Sequence, residues 1–194
     1  MSHISKTVAK IIHQLYNNGD LDKGTLAKLR TANSLLSRDA TAVWPLIFEY
    51  IEDKQDLSQT GEPTFAENAI FAALRAYAIY QQGTEESVFK HSDDWRENSS
   101  LFQAFGQLRS DPDFTDSLDK RVSNVLTSLN FQSAENSITQ LVRILKSKGQ
   151  GGQIDFAQLG EDLYRFQFSS ESARQVTLKW GQDYYWKNLK DNQE

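Results

Sequence analysis

The chain has 194 residues, enough to bury a sizeable core, with 39% hydrophobic, 24% charged and 11% aromatic side chains and a formal net charge of −5. It contains no cysteine, which excludes disulfide frameworks, thiolate metal sites and cysteine nucleophiles, and its negative sum argues against wholesale charge-driven binding to nucleic acid or anionic lipid. No apolar run approaches the roughly 18 residues of a membrane span, and the opening MSHISKTVAKII lacks a signal-peptide core, so a cytoplasmic protein is expected.

Apolar residues recur at helical spacing along the chain and strict alternation is absent, which predicts an all-α fold. Val8, Ile11, Ile12 and Leu15 mark a first helix that stops at Asn17, Asn18 and Gly19. Leu26, Leu29, Leu35 and Leu36 are assigned to a second, with Arg30 at the edge of its stripe. AVWPLIFEYI reads as a third, its Pro45 tolerated in the first turn. The polar EDKQDLSQTGEPTF is a loop, expected to be mobile. Thr64 with Glu67 then forms a capping box opening a long helix through Ile70, Phe71, Leu74, Tyr77 and Ala78. SSLFQAFGQLR makes a shorter one.

SDPDFTDS places a domain boundary near Pro112, dividing the chain into two small helical bundles, 1–112 and 113–194. Beyond it, Val122, Val125, Leu126 and Leu129 form one stripe and Ile138, Leu141, Val142 and Leu145 another, followed by the glycine-rich GQGGQ. Asp155 caps the next helix, with Gln158 reaching back and Ile154 and Leu159 as a hydrophobic staple. The last helix, from Ser170 to Lys190, carries Val176, Trp180 and Tyr184 on one side and Leu178, Tyr185 and Leu189 on another, so it is expected to lie buried between neighbours.

Motifs of catalysis are missing. His91, in HSDDW, has the only tempting metal context, but no second His or Cys stands at ligand spacing, and the simpler reading is a solvated acidic loop. GQGG lacks the Lys-Ser/Thr of a phosphate-binding loop, and no serine occupies a nucleophile elbow. Glu161 and Asp162 are adjacent, so they point in different directions and read as solubility charges. The aromatic residues, Trp180, Tyr184 and Phe166 among them, are assigned to the core rather than to base stacking. No metal or other cofactor is expected.

Charge is segregated along the chain. Between Glu85 and Asp119 nine acidic residues face three basic ones, whereas Lys120, Arg121, Arg143, Lys146 and Lys148 share their stretch with one acid, Glu135. On helices, Arg121 and Lys146 flank the apolar stripes, Lys120 projects to the opposite side of its stripe and Arg143 faces away from the core. Flanking cations suit phosphate contact without base specificity. Each is equally consistent with a solvated charge, and Arg121 with pairing to Asp113, Asp116 or Asp119. Arg30 is consistent with snorkelling, with a buried ion pair, or with lining a groove.

Five stretches, GTLAKLRTA, AIFAALRAYAIYQQG, SLFQAFGQLR, DKRVSNVLTSLN and LVRILKSKGQGGQIDFAQLGEDLYRF, closed by LKWGQDYYW, resemble in order and spacing the CasB family, the small subunit of the type I-E CRISPR Cascade surveillance complex. The resemblance implies a non-catalytic, all-helical, two-domain subunit. It further implies a second copy of the same chain as neighbour, contacts to the backbone subunits and the large subunit, and support of CRISPR RNA and opened target DNA. Arg30 matches the arginine of the family's LR motif, Arg121 the basic residue opening the second domain's first helix, and Arg143 the basic position of LVRIL. Lys28, Lys120, Lys146, Lys148, Arg174 and Lys179 are carried over as further nucleic-acid contacts. The alternative is a helical protein–protein adaptor with no nucleic-acid contact.

Overall fold

The computed structural model describes residues 2–92, 99–149 and 151–186, and within them nine α-helices and no strand, only a single bridge between Phe89 and Ile154. The all-α expectation holds. Helix α1 spans His3–Tyr16, α2 Lys23–Thr31, α3 Trp44–Tyr50, α4 Phe65–Gln81 and α5 Leu101–Gln107. The second half contributes α6 Pro112–Thr127, α7 Phe131–Lys148, α8 Phe156–Phe166 and α9 Ser170–Tyr185.

The fold is organised around α4. This helix is apolar on all sides, rich in alanine and buried along almost its whole length, so it can only be stable inside a ring of neighbours. Its capping box forms as the sequence predicts: Glu67 N–H donates to Thr64 Oγ1 at 3.1 Å and Thr64 N–H to Glu67 Oε2 at 2.8 Å. Helices α1, α2, α7 and α8 pack against it. Gly160 of α8 permits close approach to both α1 and α4, since a Cβ there would stand 2.9 Å from Val8 Cγ2 and 3.4 Å from Ala73 Cβ.

A second packing centre joins α5 to α9, where Phe102 stacks on Trp180 with ring centroids 4.7 Å apart and Phe166 flanks the same indole. The core assignment of Trp180, Tyr184 and Phe166 is therefore correct. The expected boundary near Pro112 coincides with the first turn of α6, while α8 from beyond it packs chiefly on α1 and α4.

Several sequence expectations need correction. Helix α2 ends at Thr31, so Leu35 and Leu36 lie outside it; Leu35 is buried in the following turn and Leu36 is 64% exposed. Helix α6 likewise stops at Thr127, which releases Leu129 to solvent. On α9 the side bearing Val176, Trp180 and Tyr184 is buried, but Leu178 and Tyr185 are exposed, so that helix faces the core with one side only; Leu189 is outside the described residues. The loop after α3 contains a 3₁₀ turn, Lys54–Asp56, and is fastened to α4 by Ser58 N–H to Glu67 Oε1 and Thr64 Oγ1 to the Asp56 carbonyl.

Candidate nucleic-acid interface

The nine cations singled out in the sequence divide by what each already touches. Arg30 occupies the last turn of α2, half-buried next to buried Leu29, with no hydrogen-bond or ion-pair partner among the described residues. Lys120 and Arg121 on α6 and Arg143 on α7 are exposed and equally without such a partner among the described residues. The acid nearest Arg121 in sequence is otherwise engaged. Asp119 accepts from Arg109 Nε at 3.1 Å and from the Tyr184 hydroxyl at 2.6 Å.

The other five have internal contacts. Lys28 donates to Asp39 Oδ1 at 2.9 Å, both side chains being well exposed, and this hydrogen bond holds the Asp39 carboxyl below the usual carboxylate range. Lys148 stands 3.5 Å from Asp111 Oδ2 with its ammonium 4.6 Å from the Phe114 ring centre. Lys146 donates to Thr84 Oγ1 at 2.8 Å beside the Tyr80 ring, and partial burial lowers its pKa. Arg174 donates to the Leu126 carbonyl at 3.4 Å from an exposed position.

Lys179 is the most firmly engaged. Its ammonium donates to both oxygens of Asp162, at 2.8 and 3.0 Å, and the same carboxylate accepts from Trp180 Nε1 at 3.0 Å and Gln158 Nε2 at 2.9 Å. Asp162 is buried, so its assignment as a solubility charge is corrected: it is the polar centre that joins α8 to α9. Gln158 consequently serves Asp162 rather than reaching back to the cap, although Asp155 does accept from the Gln158 N–H at 2.9 Å.

Two charged residues that the sequence reading passed over lie at the centre of the molecule. Arg75 of α4 and Glu135 of α7 form a buried pair, Nη1 to Oε1 at 3.3 Å, and the same nitrogen donates to the Asn33 carbonyl at 3.5 Å. Burial raises the Glu135 carboxyl more than Arg75 lowers it. A signal for this pair was available: an arginine inside an otherwise apolar helix requires a counter-charge, and Glu135 is the sole acid of its basic stretch.

His91 also differs from its expected solvated setting. Its Nδ1 lies 2.7 Å from Asp155 Oδ2, and Asp155, the N-cap of α8, is 1% exposed with its carboxyl raised by burial. The rest of the candidate metal context, Asp93, Asp94 and Trp95, lies outside the described residues. Among the described residues no group of three or more His, Asp or Glu is placed to hold a metal ion, and no helix is long and apolar enough to cross a membrane.

The chain is thus an all-helical protein in which Arg30, Arg121 and Arg143, three of the candidate cations, have no internal partner among the described residues of a packed helical core. The family model described as CRISPR-associated protein Cse2 matches residues 25–185, and the chain belongs to that family. Two solved structures share the fold. The crystal structure of CasB from Thermobifida fusca is 24% identical with a TM-score of 0.71, covering 96% of this chain and 99% of that one. A chain of a structure described as a CRISPR RNA-guided surveillance complex is 20% identical with a TM-score of 0.64, covering 94% and 92%. No curated protein sequence matches the chain at a significant level.

Proposed function

We propose that this chain is a non-catalytic subunit of a CRISPR RNA-guided surveillance assembly, where it supports the CRISPR RNA and the opened target DNA through sequence-independent contacts to phosphate. The observation that carries the reading is that four of the nine candidate cations, Arg30, Lys120, Arg121 and Arg143, have no internal partner among the described residues. Such a charge gains nothing for the isolated fold, and a guanidinium fork matches phosphate geometry without reading bases. Lys28, Lys146, Lys148, Arg174 and Lys179 would join them only by exchanging the contacts they already make. The net negative chain makes binding by the free subunit weak, and assembly supplies the missing affinity by raising the local concentration of nucleic acid. The acidic segment from Glu85 to Asp119 then faces protein or solvent. Sequence selection belongs to the guide RNA.

A specific feature favours the adaptor as a second reading. An open groove of about 370 Å³ is walled by Leu35, Leu36, Trp44, Phe48, Leu57 and Pro63, an apolar surface suited to protein contact. Purification of the tagged chain from its host, with sequencing of any RNA in the eluate, tests the assignment. Repeat-flanked guide RNA together with the other subunits is the expected yield, and a lone protein free of RNA would defeat it.

A further inference from the structure

The Arg75–Glu135 pair is a poor stabiliser as built. Both side chains are more than nine-tenths buried, the two contacts of Arg75 Nη1 are long at 3.3 and 3.5 Å, and Arg75 Nε is buried with no hydrogen-bond partner. Desolvating two charges is costly for each ion, and apolar residues of similar volume commonly hold a core as well or better. What an apolar pair would not supply is the tie itself. One nitrogen of α4 grips the backbone just past the end of α2, at Asn33, and a side chain of α7 that Gln132 steadies through Glu135 Oε2 at 2.9 Å.

The two gripped elements carry two of the unpartnered arginines, Arg30 and Arg143. Arg30 lies three residues before Asn33, in the last turn of a nine-residue helix that buries only Leu26 and Leu29. Arg143 lies eight residues beyond Glu135 on α7, roughly 12 Å along the helix axis at 1.5 Å per residue. We infer that Arg75 and Glu135 are positioning residues, which fix the end of α2 against α7 so that Arg30 and Arg143 engage the same nucleic acid. The inference rests on the proposed function, and neither residue touches the ligand.

The test uses the assembled complex carrying the chain and a fluorescein-labelled target DNA, with affinity measured across a salt series. Wild type and Arg121→Ala come first: salt-dependent binding that Arg121→Ala weakens upholds the functional reading, and its absence would sink that reading and this inference with it. The decisive variant is the apolar replacement of the pair, Arg75→Met with Glu135→Leu. Its thermal midpoint is expected to stay at or above that of wild type while affinity falls about 3- to 10-fold and the slope of log K against log salt becomes shallower by about 1, one phosphate contact. A double variant that melts and binds as wild type does, with the same slope, would overturn the inference while leaving the functional reading intact. Should the double variant lose its helical signal, Arg75→Lys decides, because the lysine ammonium ends one bond short of Nη1, which already reaches its two acceptors only at 3.3 and 3.5 Å. Weakened binding by a folded Arg75→Lys protein supports positioning, and unchanged binding refutes it.

Discussion

Replacing Gly106 by alanine asks whether α5 and α9 approach as closely as the packing implies. In an open helix the change would stabilise by about 0.8–1.0 kcal/mol, because alanine has the higher helix propensity. At this position the added Cβ would stand 2.6 Å from the Tyr184 carbonyl oxygen and 3.4 Å from its carbonyl carbon. Those are backbone atoms, so no side chain can swing away, and relief requires α9 to withdraw from α5 at the Phe102–Trp180 stack. Overpacking of this kind costs about 1–3 kcal/mol, and a contact this short belongs at the upper end. The net expectation is a loss of about 2 kcal/mol, a fall of about 4–8 °C in the thermal midpoint of a chain this size. Gly24→Ala is the control, since its Cβ would meet only Asp22 Oδ1 at 3.6 Å; it should raise the midpoint by about 1–4 °C. Calorimetry of the two variants gives the signs directly. A midpoint for Gly106→Ala at or above wild type would refute the close approach.

Lys179→Met should behave as a stability variant, because it leaves the buried Asp162 carboxylate with Trp180 and Gln158 as its remaining donors; a cost of about 1–3 kcal/mol is expected in denaturant unfolding. Unchanged unfolding would show that the ammonium contributes little there. Asp183 has its carboxyl raised by burial, against the hydrogen bond from Ser100, so its folded pKa exceeds its unfolded one. The stability it contributes is complete below the ordinary aspartate range near about pH 4 and is lost as pH rises through the raised pKa. Midpoints of wild type relative to Asp183→Asn should therefore decline with rising pH, and a rising difference would reverse the sign of the argument. Thr64→Ala removes the acceptor for Glu67 N–H and should cost about 1–2 kcal/mol, seen as a lower denaturant midpoint with unchanged slope.

Local chemistry made much of the helical order readable. The stop of α1 follows from Asn17, Asn18 and Gly19, which take left-handed φ values of 44°, 54° and 100° that asparagine and glycine tolerate best. The Thr64–Glu67 box and the first-turn proline of α3 are equally local. Periodicity misled where it outran a helix end, as at Leu36 and Leu129, and where it could not tell a covered side from an open one, as at Leu178. Asp162 shows the limit most plainly. Its divergence from Glu161 is dictated by helix geometry, but that its direction is inward depends on α9 bringing Lys179 and Trp180 to it. The Arg75–Glu135 pair joins residues 60 positions apart, beyond any window of spacing.

The candidate interface was legible to a similar degree. Arg30, Lys120, Arg121 and Arg143 have the free heads that their stripe-edge or outward positions suggest, because nothing long-range in the described fold claims them. Lys146 and Lys179 share that surface pattern, yet their partners Thr84 and Asp162 come from other elements, 62 and 17 residues away. Spacing along one helix carries no record of such partners.

The most direct test of a phosphate-contacting role is charge reversal of Arg30, Arg121 and Arg143 together to glutamate, with target DNA binding measured on the assembled complex over a range of salt. Assembly is expected to persist, while affinity falls and the slope of log K against log salt becomes shallower by about 2 to 3, the loss of three phosphate contacts. An assembled complex that binds DNA with unaltered affinity and slope would contradict the account and leave the chain as a protein adaptor.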